Sequence, residues 1–124
     1  MQNGKQVILV IDDEQDILTV VQTFLASHDY SVLTAHSAEE GLKIYKKARP
    51  DLVIVDLMME EIDAGVNFAK ELKLLRNTAP VYLLSGAGDS MSDSIDYTEM
   101  GFSGVFQKPL DRNRLLNTIQ AKVT

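Results

Sequence analysis

The sequence predicts an α/β fold, a parallel sheet with helices on both faces, and three observations carry that reading. Short β-branched apolar runs recur along the chain; the most hydrophobic is Leu52-Val53-Ile54-Val55, which ends on Asp56. Continuous runs of this kind suit parallel strands buried on both faces. Segments with helical apolar spacing alternate with these runs five times. The connections are short, so each helix acts as a crossover between parallel strands.

The elements follow in chain order. Residues 6–11 form the first strand and lead into Asp12-Asp13-Glu14. Ile17, Val20, Val21 and Phe24 then recur at i, i+3, i+4 and i+7, which marks the buried face of an amphipathic helix. That helix ends near Ser27-His28-Asp29, and residues 31–35 are the second strand. Ser37 and Glu40 make a capping-box pattern that starts a second helix. Leu42, Tyr45 and Ala48 lie on one face of it, and Pro50 closes it. After the third strand, 52–56, a loop over 57–65 leads to a third helix marked by Phe68, Ala69, Leu72 and Leu75. Pro80 opens the fourth strand, 81–85, and Gly86-Ala87-Gly88-Asp89 is a turn. A fourth helix covers about residues 90–100, with Met91, Ile95 and Thr98 on one side. Gly101 suits the left-handed cap after it. Residues 105–107 make a short fifth strand before Lys108-Pro109. Asp111 caps a last helix carrying Leu115, Leu116, Ile119 and Val123.

A chain of 124 residues reads as one domain with a structured core of about residues 6–122. It can bury roughly two-thirds of the surface it exposes when unfolded. The net charge of −6 argues against direct nucleic-acid binding, which needs clustered Lys and Arg. No apolar run approaches the ~20 residues of a membrane span. The N-terminus has one lysine and then a short apolar run stopped by Asp12, so it does not read as an export signal. A cytoplasmic location is the expectation. There is no cysteine, hence no disulfide or thiol chemistry. His28 and His36 stand apart, so no His/Cys cluster suits zinc. There is no Walker A sequence and no G-x-G-x-x-G, because Gly86-Ala87-Gly88 continues as Asp89-Ser90-Met91.

Parallel strands share one carboxyl edge, where ligands gather in open α/β sheets. The first strand delivers Asp12 and Asp13 there, the third Asp56, the fourth Ser85 and the fifth Lys108. Singly, each has a plain structural reading. Acidic residues favour helix N-termini, Ser85 suits a turn, and a lysine snorkels at a surface. Together they suggest chemistry. Three nearby carboxylates repel one another unless a cation compensates. Magnesium takes one or two carboxylates and keeps several waters, and Lys108 neutralises part of the remainder. The set suits a metal and one anionic oxygen ligand beside Asp56. The acidity of the first loop disfavours a mononucleotide site, since it would repel phosphate unless a metal intervened.

These residues, in this order, resemble the receiver domain of bacterial two-component response regulators, and the resemblance covers essentially the whole chain. Leu57-Met58-Met59 and Ile62-Asp63 resemble the loop that follows the family's acceptor residue. The resemblance implies a flavodoxin-like, doubly wound (βα)5 three-layer sandwich with strand order 2-1-3-4-5. It implies that Asp56 accepts a phosphoryl group from a sensor histidine kinase or a histidine phosphotransfer protein. Asp12, Asp13, Asp56 and the backbone carbonyl of Met58 would hold Mg2+. Lys108 would pair with one phosphoryl oxygen and Ser85 would donate a hydrogen bond to another. The added charge would switch the surface of the fourth helix, fifth strand and fifth helix. A downstream effector or an attached output domain would read that surface, and a phosphorylation-dependent homodimer is within the family's repertoire. The implied role is signalling, with catalysis limited to the domain's own phosphorylation and dephosphorylation.

The sequence departs from the family pattern in three places. Val105 stands where the family usually has the aromatic switch residue paired with Ser85, and strand alternation points Phe106 to the other face. Glu60 replaces a usual proline, and Ala64 precedes Gly65, so the loop after Asp56 is one residue longer. Met58 and Ala87 occupy rim positions that influence phosphoryl lifetime in the family; neither can activate water, which implies slow self-dephosphorylation. Gly86 beside Ser85 leaves room for a phosphoryl group, and serves equally as a turn residue. Two other functional classes stay open. One is a degenerate receiver that binds partners without phosphorylation; the intact Asp12, Asp13, Asp56, Ser85 and Lys108 argue against it, and Val105 keeps it open. The other is a haloacid-dehalogenase-type phosphatase, which needs Asp-x-Asp where this chain has Asp12-Asp13-Glu14.

Overall fold

The computed structural model describes residues 4–56, 64–86 and 101–123. Its strands are β1 (Val7–Ile11), β2 (Ser31–Ala35), β3 (Leu52–Asp56), β4 (Val81–Ser85) and β5 (Gly104–Gln107). They pair in parallel in the order β2-β1-β3-β4-β5. The described helices are α1 (Gln15–Ala26), α2 (Ala38–Ala48), α3 (Ala64–Leu74) and α4 (Arg112–Val123). This is the doubly wound α/β architecture that the sequence predicts. The fourth helix expected over residues 90–100, the loop over 57–63, Met58 and Ala87 all lie outside the described residues.

Every residue of β1, β3 and β4 is buried, which explains why these strands read as unbroken apolar runs. Alternate side chains feed two cores. Ile8, Val10, Ile54, Leu84 and Phe106 pack with Leu18, Val21 and Leu25 of α1 and with Leu115, Ile119 and Val123 of α4. Leu9, Ile11, Val53, Val55 and Leu83 pack with Phe68, Ala69 and Leu72 of α3, joined by Leu42 and Tyr45 of α2. At Gly41 the α2 backbone comes so close to β1 that a Cβ would stand 2.4 Å from Ile11 Cδ1. Gly104, one residue before the predicted start of β5, lies against the Tyr82 ring in the same way, 2.7 Å from a built Cβ to Cε1. Tyr82 in turn stacks on Phe106, with ring centroids 5.1 Å apart.

One sequence expectation about a buried face needs correction. The expected stripe on the first helix was Ile17, Val20, Val21 and Phe24. The buried residues are Leu18, Val21 and Leu25, Ile17 and Phe24 are partly buried, and Val20 is 51% exposed. The helix is rich enough in apolar residues to offer two overlapping stripes, and contact with the sheet selects the second. Of the four apolar residues that mark the third helix, Phe68, Ala69 and Leu72 are buried while Leu75 is 43% exposed. Its amide still donates to the Glu71 carbonyl at 3.1 Å, but the helix ends at Leu74 and the chain turns left-handed at Arg76, φ 57, so Leu75 sits on an open last turn.

The caps predicted at Ser37 and Asp111 are present. Ser37 Oγ accepts from the Glu40 amide at 3.1 Å, and Asp111 Oδ1 accepts from the amides of Asn113 and Arg114 at 3.0 and 3.2 Å. Gly101 is left-handed at φ 94, while Arg49, at φ 49, closes α2 just before Pro50.

The topology fixes where chemistry can gather. β1 lies between β2 and β3, so the winding direction reverses there and leaves a crevice outside the carboxyl ends of β1 and β3. The register Ile11↔Val55 sets Asp12 and Asp56 side by side at its mouth.

Candidate functional site

Four strand ends build the site. Asp12 follows β1 with no exposed surface, and Asp56 ends β3 with 4% exposed. Asp13 is exposed beside them. Asp12, Asp13 and Asp56 each place a carboxylate oxygen within 4.8 Å of the others. Ser85, buried at the end of β4, takes the Lys108 amide on its carbonyl oxygen at 2.8 Å. That bond fixes the start of the chain after β5, and the Lys108–Pro109 peptide there is cis. From this base the Lys108 side chain reaches back across the crevice. Its Nζ lies 3.2 Å from Asp56 Oδ2, 3.2 Å from Asp12 Oδ2 and 3.4 Å from Glu14 Oε1.

Asp12 is held in a definite orientation. Its amide donates to the Ala35 carbonyl at 3.1 Å, and its Oδ1 accepts from the Glu14 amide at 3.0 Å. Among the described residues its Oδ2 is buried without a hydrogen-bond partner; the ammonium faces it at ion-pair distance but outside hydrogen-bond geometry. A buried carboxylate oxygen left in that state is costly, and a hard cation would satisfy it. Three carboxylates around one point are hard oxygen donors of the kind magnesium takes, so the residues present fit that ion.

Burial alone would push the Lys108 ammonium down, yet the charges of Asp56 and Asp12 more than offset it and leave the group above the ordinary lysine value. The ammonium therefore stays charged and supplies the one positive pole that these strand ends carry among the described residues.

The structure thus brings together Asp12, Asp13, Asp56 and Lys108, and places Ser85 on the same edge through the register Asp56↔Leu84. Val105 packs partly buried against the core on the α3 side, and Phe106 belongs to the other core. Val105 is also linked to α4, because its carbonyl accepts from Arg114 Nη2 at 3.3 Å. The two histidines stay exposed at the surface, His28 beside Phe24 and His36 beside Gln15. Sequence reasoning missed Glu14. An acidic residue after two aspartates reads as a helix N-terminus preference, and nothing in local spacing announces a partner 94 positions away.

Comparison with known proteins agrees with this fold. Residues 8–120 match the family model of the response regulator receiver domain. The chain is 35% identical over 112 residues to the transcriptional regulatory protein GlrR of Escherichia coli (strain K12), covering 90% of this chain and 25% of that protein. It is 32% identical over 114 residues to the alkaline phosphatase synthesis transcriptional regulatory protein PhoP of Bacillus subtilis (strain 168), covering 92% and 47%. The chain thus spans between a quarter and a half of the length of these two curated relatives. Among solved structures, a response regulator receiver domain protein from Clostridium thermocellum superposes with a TM-score of 0.85 at 32% identity, covering 95% of this chain and 94% of that one. The chemotaxis response regulator CheY4 of Vibrio cholerae superposes at 0.84 with 28% identity, covering 95% and 98%.

Proposed function

Because the chain belongs to the response regulator receiver domain family, a family of signalling domains, we propose that it is a phosphorylation-controlled switch whose acceptor is Asp56. The observation that carries this reading is the Asp56 carboxylate at the end of β3, 3.2 Å from the Lys108 ammonium and grouped with Asp12 and Asp13. In the proposed reaction an Asp56 carboxylate oxygen attacks the phosphorus of a phosphohistidine. The new O–P bond forms as the N–P bond breaks, and the imidazole leaves with the electron pair.

Positioning and charge neutralisation dominate such transfers. Mg2+ bound at Asp12, Asp13 and Asp56, with the Met58 carbonyl as a further ligand, would neutralise charge on the phosphoryl oxygens. Lys108 pairs with one of those oxygens, and the Ser85 hydroxyl donates to another. With valine at 105 the signal does not pass through an aromatic ring at that position. β5 and the last helix, tied by the Arg114–Val105 bond, are the elements proposed to carry it onward to an effector or output domain.

The proposed donor is a sensor histidine kinase or a histidine phosphotransfer protein. A groove of about 250 Å³ beside the site, lined by Ile17, Val20, Leu84, Lys108, Pro109 and Leu110, supports docking of a protein donor, because Lys108 lines both the groove and the acceptor site. A location in the cytoplasm fits such a partner; among the described residues no helix is long and apolar enough to cross a membrane.

The test is incubation with acetyl phosphate and Mg2+ followed by intact mass. One phosphoryl group should add to the wild type and none to Asp56→Asn. No mass gain from acetyl phosphate or from any phosphorylated kinase would reject the acceptor role and leave the degenerate, binding-only receiver. Val20→Asp should slow transfer from the protein donor and leave acceptance from acetyl phosphate unchanged.

A further inference from the structure

Glu14 is the acidic residue of the site that the proposed reaction leaves without a role. Its side chain is 60% exposed, yet it holds the same ammonium as the buried Asp12 and Asp56. Its backbone has a separate task. The Glu14 amide occupies Asp12 Oδ1, which leaves Oδ2 as the Asp12 oxygen that faces Lys108 and that a cation would take. A divalent ion and an ammonium cannot both lie against that oxygen without strong repulsion. Loading the cluster with metal therefore loosens Lys108 from Asp12, and the ion's charge nearby weakens its hold on Asp56. Lysine has a flexible four-carbon stem, and an ammonium released from Asp12 and Asp56 would leave for water unless something outside the metal cluster retained it. Glu14 touches Nζ from the solvent side, at 3.4 Å, and is not one of the carboxylates grouped around the cation position.

We propose that Glu14 is a positioning residue: it retains the Lys108 ammonium at the mouth of the site once a divalent cation occupies Asp12, Asp13 and Asp56, keeping it within reach of an incoming phosphoryl oxygen. The inference rests on the phosphoacceptor reading of the site. It concerns placement and not stability, since an exposed ion pair adds little to folding.

Glu14→Gln keeps the side-chain length and the backbone amide while removing the charge. At saturating Mg2+ with acetyl phosphate as donor, acceptance should slow about two- to fivefold, the range that an exposed ion pair carries. Lys108→Met should be slower still, and adding Glu14→Gln to it should change nothing further. Equal slowing in both backgrounds would overturn the proposal, because Glu14 would then act on the metal or the donor directly.

A second readout does not depend on phosphorylation. NMR relaxation of the Lys108 ε-methylene should show order in wild type with and without Mg2+. In Glu14→Gln the order should persist with EDTA, where Asp12 and Asp56 still hold the ammonium, and should be lost with Mg2+. Unchanged order in Mg2+ overturns the proposal. If wild type accepts phosphoryl from no donor, the acceptor reading fails by itself, and the NMR comparison still decides where Glu14 holds Lys108.

Discussion

Replacing Asp56 by asparagine should stabilise the metal-free protein, although it removes the group on which the proposed function depends. Asp12 and Asp56 present oxygens within 4.8 Å of each other, so at an effective dielectric of about 20 they repel by at least roughly 3.5 kcal/mol. The Lys108 ammonium, 3.2 Å from Asp56, returns roughly 5 kcal/mol on the same scale. The exposed Asp13 adds a smaller, screened repulsion. Asp56 is 4% exposed, and taking a carboxylate out of water costs several kcal/mol even after relaxation. Among these described partners the negative charge is net unfavourable. Asparagine keeps the shape, and the variant should gain about 1–2 kcal/mol, or about 4–8 °C in Tm for a domain of this size.

The assay is thermal unfolding in EDTA and again in Mg2+. Wild type should gain about 1.4 kcal/mol when the ion is present at tenfold its Kd. Asp56→Asn should gain much less, so the stability gap narrows or reverses. A variant less stable than wild type in EDTA would refute the reasoning. It would mean that the Lys108–Asp56 pair holds the crevice together and that the repulsion has been overstated.

Gly41→Ala should destabilise by about 1–3 kcal/mol through overpacking, because the added Cβ would meet the buried Ile11 side chain at 2.4 and 2.8 Å. Ile11→Val, which deletes Cδ1, should recover part of that loss in a double-mutant cycle by urea denaturation. Asp111→Ala removes two cap hydrogen bonds and should cost about 1 kcal/mol, read as a lower urea midpoint with unchanged slope. Burial raises the hydroxyls of Tyr30, Tyr45 and Tyr82, with Arg49 opposing it at Tyr45, and Lys108 is raised as well. The folded state thus holds these protons more tightly than the unfolded state does. Their contribution is complete below the ordinary tyrosine value of 10.0 and fades as pH rises through the higher folded values. Stability measured against pH should fall above that value, and less steeply in Tyr82→Phe.

What the sequence revealed and what it hid divide along a physical line. Strands β1, β3 and β4 were legible because burial on both faces removes any need for a polar position, so the pattern is read without knowing the neighbours. Asp12, Asp56 and Lys108 were legible because strand ends in a parallel sheet share an edge whatever the packing below. Which face a helix buries is a different kind of fact. Along α1, Ile17–Val20–Val21–Phe24 and Leu18–Val21–Leu25 are both acceptable helical stripes, and only docking on Ile8, Val10 and Ile54 chooses the second. Glu14 lies at the far end of the same scale. Its partner is set by how Lys108 leaves β5 and crosses the crevice, a path that depends on the hydrogen bond from the Lys108 amide to the Ser85 carbonyl and on the closure of the whole sheet. Periodicity encodes what an element does alone, whereas the contact between Glu14 and Lys108 exists only after five strands have found their order. Local readings of acidic loops in this fold will therefore identify the carboxylates grouped at the strand ends more readily than a distant partner of the lysine.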